Sequence, residues 1–255
     1  MVRRIRSIFA RKFDDAYYNS ALNVAASICN FETFGPLKAC RSGEEIAICG
    51  AGPTLAQYSP IEGVKHIALN RALLYDKVHF DYFIADDWDG VKFFKDILRD
   101  YECEKFFGHQ LGCEYIRQIP ESFRIDAGAK RYYTDSYMLG GNKSRFVCDI
   151  DKMAIGNFTN IALSAFQIAL FMRPKTIYLV GCDASSSGHF VESASSTDEE
   201  KERVLSDLNK AVAIDSTIMK WRELKDFAQA FYPDIDIVSV NPVGLKGLFR
   251  DIYQL

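Results

Sequence analysis

Four clusters of residues in this 255-residue chain carry chemistry in their type and spacing. The first is Gly50-Ala51-Gly52-Pro53-Thr54-Leu55, directly after the apolar run Ile46–Cys49. Its glycines let a ligand approach the backbone. Pro53 suits a first helical turn, where no N–H partner is needed, and the N-terminus of a following helix favours a phosphate or carboxylate. The segment lacks the third glycine of the dinucleotide fingerprint, and no lysine follows as in a Walker loop. The next apolar run ends in Asn70 rather than an acid. The segment reads either as a ligand-contacting turn or as an ordinary strand–helix turn.

The second cluster is Asp86-Asp87-Trp88-Asp89, after the apolar run Tyr82–Ala85. Asp87 and Asp89 form a D-x-D pattern that could hold a divalent cation on a nucleotide diphosphate. The same acids suit a helix N-cap and an acidic first turn. Asp86 or Asp87 is a ligand candidate from its place at a strand end.

The third is Gly156-Asn157-Phe158-Thr159-Asn160, leading into a run that is apolar nearly all round. That run predicts a buried helix, capped by Asn157 or Thr159, with its first N–H groups facing a cleft. The fourth is Gly181-Cys182-Asp183, followed by His189 in a polar loop. An imidazole there could act as a general base near neutral pH, or be a bystander. His66 and His79 flank apolar runs and read as structural. His109, after Phe106-Phe107-Gly108, is a secondary candidate. No Ser/His/Asp triad can be assembled from spacing, and no G-x-S-x-G elbow is present.

The elements that must position these clusters are short apolar runs bounded by turn residues. They are Ile46–Cys49, His66–Leu69, Tyr82–Ala85, Thr176–Val180 and Ile235–Val240, and they predict buried parallel strands. Helical patterns fall between them, near 71–77, 90–101, 158–171 and 200–231. The alternation implies an α/β fold, a Rossmann-like, mostly parallel sheet with helices on both faces. Ligands in such sheets sit beyond the carboxyl ends of the strands, here marked by Gly50, Asn70, Asp86, Gly181 and Asn241. Residues 103–150 mix aromatics, glycines and charges and show no clear order. Residues 184–199 are small and polar, and predict a lid loop. The expected organisation is a helical N-terminal extension over 1–43 and one sheet domain over 44–255.

Composition bounds the function. The chain is 48% hydrophobic, enough for a large core. Its 31 Lys and Arg against 34 Asp and Glu argue against a nucleic-acid partner, which needs a basic surface. No apolar stretch approaches the ~18 residues that span a bilayer, and no secretory signal is visible. The seven cysteines show no metal-ligand spacing and predict buried thiols in a reducing cytoplasm. Residues 1–13 stand apart. Arg3, Arg4, Arg6, Arg11 and Lys12 interleave with Val2, Ile5, Ile8, Phe9 and Phe13. Such a basic amphipathic helix either lies on an anionic membrane surface or docks on the body with its arginines solvated.

Gly50–Leu55, the run ending in Asn70, the block Lys175-Thr-Ile-Tyr-Leu-Val-Gly-Cys-Asp183 and a lid histidine come in an order that resembles bacterial lipo-oligosaccharide sialyltransferases. Those enzymes show a G-x-G-P-S-L turn, a C-N strand end and a Y-K-E-I-Y-L-x-G-I-D block. The likeness covers about residues 44–190. The related 6-hydroxymethylpterin diphosphokinase-like proteins, including motility-associated glycosylation factors, share these blocks. They carry an Asp at the third strand end, as Asp86 or Asp87 does here.

The resemblance implies a Rossmann-like glycosyltransferase that uses a CMP-activated acidic sugar, sialic acid or Kdo-like, without a cofactor or metal. By position, Gly50, Gly52, Pro53, Thr54 and Asn70 would hold the nucleotide phosphate and ribose. Thr159 and Asn160 would face the cytidine and sugar, with Asp86, Asp87, Asn157, Gly181 and Asp183 around the donor. His189 would be the general base on the acceptor hydroxyl of a glycan or glycolipid. The protein would be cytoplasmic, with peripheral inner-membrane contact through residues 1–13. Two other readings stay open: a Mg-dependent pyrophosphokinase acting through Asp86 and Asp87, and a non-catalytic nucleotide-sugar-binding protein.

Overall fold

The computed structural model describes residues 21–110, 118–135, 145–156, 160–184 and 211–254. Eight strands form one sheet: β1 (Glu45–Cys49), β2 (Lys65–Leu69), β3 (Tyr82–Ala85), β4 (Glu104–Gln110), β5 (Lys130–Thr134), β6 (Thr176–Val180), β7 (Asp236–Val240) and β8 (Arg250–Ile252). The order across the sheet is β5-β4-β3-β2-β1-β6-β7-β8, and every pairing is parallel. The sheet is the α/β arrangement the alternating runs imply. Strand order reverses between β1 and β6, which lie side by side with Cys49 opposite Val180. At such a switch point neighbouring connections leave on opposite faces and open a crevice.

Both faces are covered, so the strands are apolar on both. Ile46 and Ile48 point into one layer, while Ala47 and Cys49 point into the other. The first layer holds α1 (a helix over 21–34), α4 (Ile161–Met172) and α5 (Ala211–Phe231). The second holds α2 (Lys95–Asp100), α3 (Glu121–Asp126) and the 3-10 turns Pro53–Gln57 and Asn70–Leu74. Each fully buried Ile or Phe contributes roughly 1.5–3 kcal/mol, so these two layers carry the fold.

Helix α4 is buried at every position from Ala162 to Met172, as its unbroken apolar run requires. It packs on β1, β2 and β3. It ends at Arg173, which adopts a left-handed φ of 54° ahead of Pro174. Helix α1 is pinned to the edge strand β5 by Asn30. Its side chain accepts from the Tyr133 N–H at 2.7 Å and donates to Met153 O at 2.9 Å.

Several local expectations are corrected. The segments near 71–77 and 90–101 are mostly short: a 3-10 turn at Asn70–Leu74, another at Lys92–Phe94, and the six-residue α2. The region without clear order contains β4, α3 and β5. Six cysteines are described, and only Cys49 is fully buried. Cys40 is exposed and the others are half-buried. Among the described residues, no helix is long and apolar enough to cross a membrane.

Candidate functional site

A cavity of about 330 Å³ opens at the switch point. It is lined by the turns after β1 (Gly50–Gly52), β2 (Leu69–Arg71) and β6 (Gly181–Ala184), by Asp89 and Gly90, by the start of α4 (Asn160–Ala162) and by Trp221. Of the residues singled out by sequence, Gly50, Gly52, Asn70, Asn160, Gly181 and Asp183 meet here. Pro53, Thr54, Asp86 and Asp87 are not among its lining residues. Asn157, Thr159 and His189 lie outside the described residues, as do Ser185, Ser186 and Ser187 of the polar loop.

The glycines serve a close contact between two strand ends. The Gly50 N–H donates to Val180 O at 2.8 Å and the Gly52 N–H to Gly181 O at 2.9 Å. A Cβ on Gly50 would stand 2.6 Å from Gly181 O, and one on Gly181 would stand 2.4 Å from Gly50 O. Gly181 also has a φ of +60°, which favours glycine. Thr54 is tied to the same strand end. Its N–H donates to Asp183 Oδ2 at 3.0 Å, and its hydroxyl donates to Asp183 Oδ1. The N–H groups of Gly50, Gly52 and Thr54 thus bond to β6 and the turn after it.

Asn70 adopts a left-handed φ of 49°, a conformation that Asn tolerates better than most residues. Asn241, at the end of β7, does the same. Polar residues at these strand ends therefore satisfy the backbone as well as any ligand. Among the described residues, the Asn70 Oδ1 is buried and without a hydrogen-bond partner. It lies against Gly90, where a Cβ would come within 2.8 Å of it. An orphaned acceptor on a cavity wall calls for a donor from a ligand or water.

The acidic cluster divides. Asp86 is buried at the end of β3 and accepts from the Tyr132 hydroxyl, with Gly108 leaving room for its carboxylate. Burial raises its pKa to about 7, against the Tyr132 hydrogen bond, and Asp87 adds to the rise. Asp87 accepts from the Gly90 N–H at 2.6 Å, and burial raises its pKa too. Asp89 pairs with Lys92 at 2.8 Å. Asp87 thus closes a turn rather than capping a helix: the N-cap of the Lys92–Phe94 turn is Val91 and that of α2 is Phe94, so the expected helix cap at Asp86 or Asp87 is not formed. Among the described residues, no three acids, histidines or cysteines gather as a metal site needs.

No family model and no curated protein sequence matches this chain. In structure it is similar to two sialyltransferases and a glycosyltransferase. One is a variant of the sialyltransferase Cst-II in complex with CMP, at 11% identity and a TM-score of 0.46, covering 77% of this chain and 80% of that one. Another is the α-2,3-sialyltransferase Cst-I from Campylobacter jejuni, at 16% identity and a TM-score of 0.44, covering 77% and 75%. The third is the MAf glycosyltransferase from Magnetospirillum magneticum AMB-1, at 12% identity and a TM-score of 0.46. The match covers 91% of this chain and 38% of that enzyme.

The start of α4 corrects the expected cap. Asn160 itself is the N-cap, accepting from the Ala162 N–H at 3.0 Å, and its backbone carbonyl accepts from the Leu163 N–H. Trp221, 1% exposed overall, reaches the cavity from α5 and packs edge-on against Phe166 and Phe249. Sequence reasoning missed Trp221 and Arg71. Trp221 lies within a long amphipathic pattern where an aromatic reads as core. Arg71 follows Asn70 directly, and that adjacency was the available signal. His66 is buried and bonded to the Tyr58 hydroxyl at 3.0 Å, which fits its structural role. His109 lies within β4, edge-on to Tyr133.

Proposed function

We propose that this protein is a cytoplasmic glycosyltransferase that moves an acidic sugar, sialic acid or Kdo-like, from a CMP-activated donor to a surface glycan or glycolipid. The observation that carries the reading is the cavity at the β1/β6 switch point, walled by glycine turns and by Asn70, whose buried Oδ1 has no partner among the described residues. Its volume of about 330 Å³ is in the range of small-molecule sites. The order of the sequence blocks around it supports a CMP-sugar as occupant.

In this reading the acceptor hydroxyl oxygen attacks the anomeric carbon. The bond from that carbon to the phosphate oxygen breaks, and CMP leaves with the electron pair. His189 takes the acceptor proton. Phosphate is a good leaving group, so positioning and electrostatic stabilisation do most of the chemistry. The basic stretch over residues 1–13 would hold the enzyme beside a lipid-linked acceptor. The exposed Val24, Ile28 and Phe31 on the outer side of α1 support that placement.

Calorimetry with CMP in a chelator tests the donor, with saturable binding expected. His189→Ala should abolish transfer from a CMP-sugar and leave CMP affinity nearly unchanged. Absence of CMP binding would contradict the donor. Full transfer by the variant would contradict the base.

A further inference from the structure

We infer that Arg71 supplies the positive charge that holds an anionic group of the donor in the switch-point cavity. The inference rests on the donor reading above, but its chemistry is independent of which nucleotide binds.

Among the described residues lining the cavity, Arg71 is the sole cation. Its guanidinium lies 5.3 Å from the centroid of the Phe93 ring. Among the described residues it has no hydrogen-bond or ion-pair partner. A ring below the guanidinium holds its plane and leaves its N–H edges free to form a two-pronged bond to an oxyanion.

Several of the backbone donors expected to bind an anion here are already engaged. The N–H groups of Gly50, Gly52 and Thr54 bond to β6 and its turn, and the Ala162 N–H is held by the Asn160 side chain. Two carboxylates, Asp89 and Asp183, also line the cavity. One pairs with Lys92 and the other accepts from Thr54, and among the described contacts neither is hydrogen-bonded or ion-paired to Arg71. Lys92 also lies near the Phe93 ring, 4.7 Å from its centroid, but it pairs with Asp89 and does not line the cavity. Without Arg71, an entering phosphate or sugar carboxylate would meet two acids and no cation among the described lining residues.

The shared chemistry is an oxyanion, from either the nucleotide phosphate or the sugar carboxylate. The test is calorimetry of wild type, Arg71→Gln and Arg71→Lys with cytidine, CMP, a CMP-activated acidic sugar, UDP and ATP. CMP affinity should fall about tenfold or more in Arg71→Gln, with cytidine unchanged and Arg71→Lys intermediate. That pattern puts the charge on the phosphate. If CMP is unchanged and only the CMP-sugar weakens, the charge serves the sugar carboxylate and the inference stands. Equal binding of every charged ligand by wild type and Arg71→Gln overturns it while leaving the donor reading intact. A loss as large for cytidine as for CMP also overturns it, because the effect would not depend on ligand charge. If wild type binds UDP or ATP but no cytidine nucleotide, the donor reading fails. Weakening of that nucleotide in Arg71→Gln would then still support the charge role, and equal binding would overturn it.

Discussion

Asp183 holds Thr54 by both of its carboxylate oxygens, one on the backbone N–H at 3.0 Å and one on the side-chain hydroxyl. Its own backbone carbonyl accepts from the Gly244 N–H at 2.8 Å. One residue at the end of β6 therefore joins three connections: the glycine turn after β1, its own turn and the loop after β7. The carboxylate lines the cavity, and its hydrogen bonds fix the shape of the wall.

Asp183→Ala removes both acceptors and leaves two buried donors on Thr54. We expect a loss of roughly 1–3 kcal/mol in unfolding free energy, together with weaker ligand binding. Asp183→Asn, which keeps an acceptor, should lose less of both. Denaturant titration and calorimetry measure the two effects. An alanine variant as stable as wild type would contradict the clamp.

Gly52→Ala places a Cβ 2.4 Å from Asp183 Oδ2 and 2.5 Å from Gly181 O. The backbone carbonyl cannot move aside cheaply, so about 1–3 kcal/mol should be lost. Gly35→Ala is the control, since its Cβ would meet nothing nearer than 3.9 Å. Thermal melts should separate the two variants clearly. Similar melting temperatures would contradict the close turn-to-turn packing.

Asp86 should give stability a slope with pH. Its pKa is raised by burial from the usual 3.8 to about 7. Between those values the folded chain holds more protons than the unfolded one. This contribution therefore falls as pH rises through the interval and levels off above it, by a few kcal/mol at most (about 1.4 per pKa unit). Asp86→Asn keeps an acceptor for the Tyr132 hydroxyl and removes the titration. It should melt higher than wild type at pH 8 and close to it at pH 4. Melting curves that shift in parallel at both pH values would contradict the buried acid.

Residues 1–13 should bind anionic vesicles. Flotation with phosphatidylserine-containing vesicles should be strong at low salt and fall with added salt. Replacing Arg3, Arg4 and Arg6 by Glu should abolish it without changing CMP affinity. Flotation that persists in the triple variant would contradict the proposed placement.

How far the sequence discloses this protein varies by strand. β1 and β6 stand out because, after one polar first residue, Ile46–Cys49 and Ile177–Val180 are unbroken apolar runs followed directly by glycine. β4 and β5 do not, because two consecutive charged residues open each of them, Glu104-Lys105 and Lys130-Arg131. Lys105 is buried in β4 yet donates to the carbonyls of Arg99 and Ala127. In β5, Arg131 pairs with Glu121 and Lys130 with Glu104. Such charges are satisfied by tertiary contacts that no local pattern encodes. At the site, the strand-end residues were visible, but their division of labour was not. Thr54 and Asp183 looked like parallel ligand groups, and the fold makes them partners. Arg71, two residues past the end of β2, offered only its adjacency to Asn70 as a signal, and the cavity that forms around it gives that adjacency meaning.

Trp221 offers the most direct test of the central claim that CMP occupies the switch-point cavity. The chain has two tryptophans, so Trp88→Phe leaves Trp221 as the sole indole reporter. In a chelator, CMP should change Trp221 fluorescence saturably, with the dissociation constant found by calorimetry, and cytidine should do so more weakly. CMP binding by calorimetry with no change at Trp221, or no response to CMP by either method, would contradict the account.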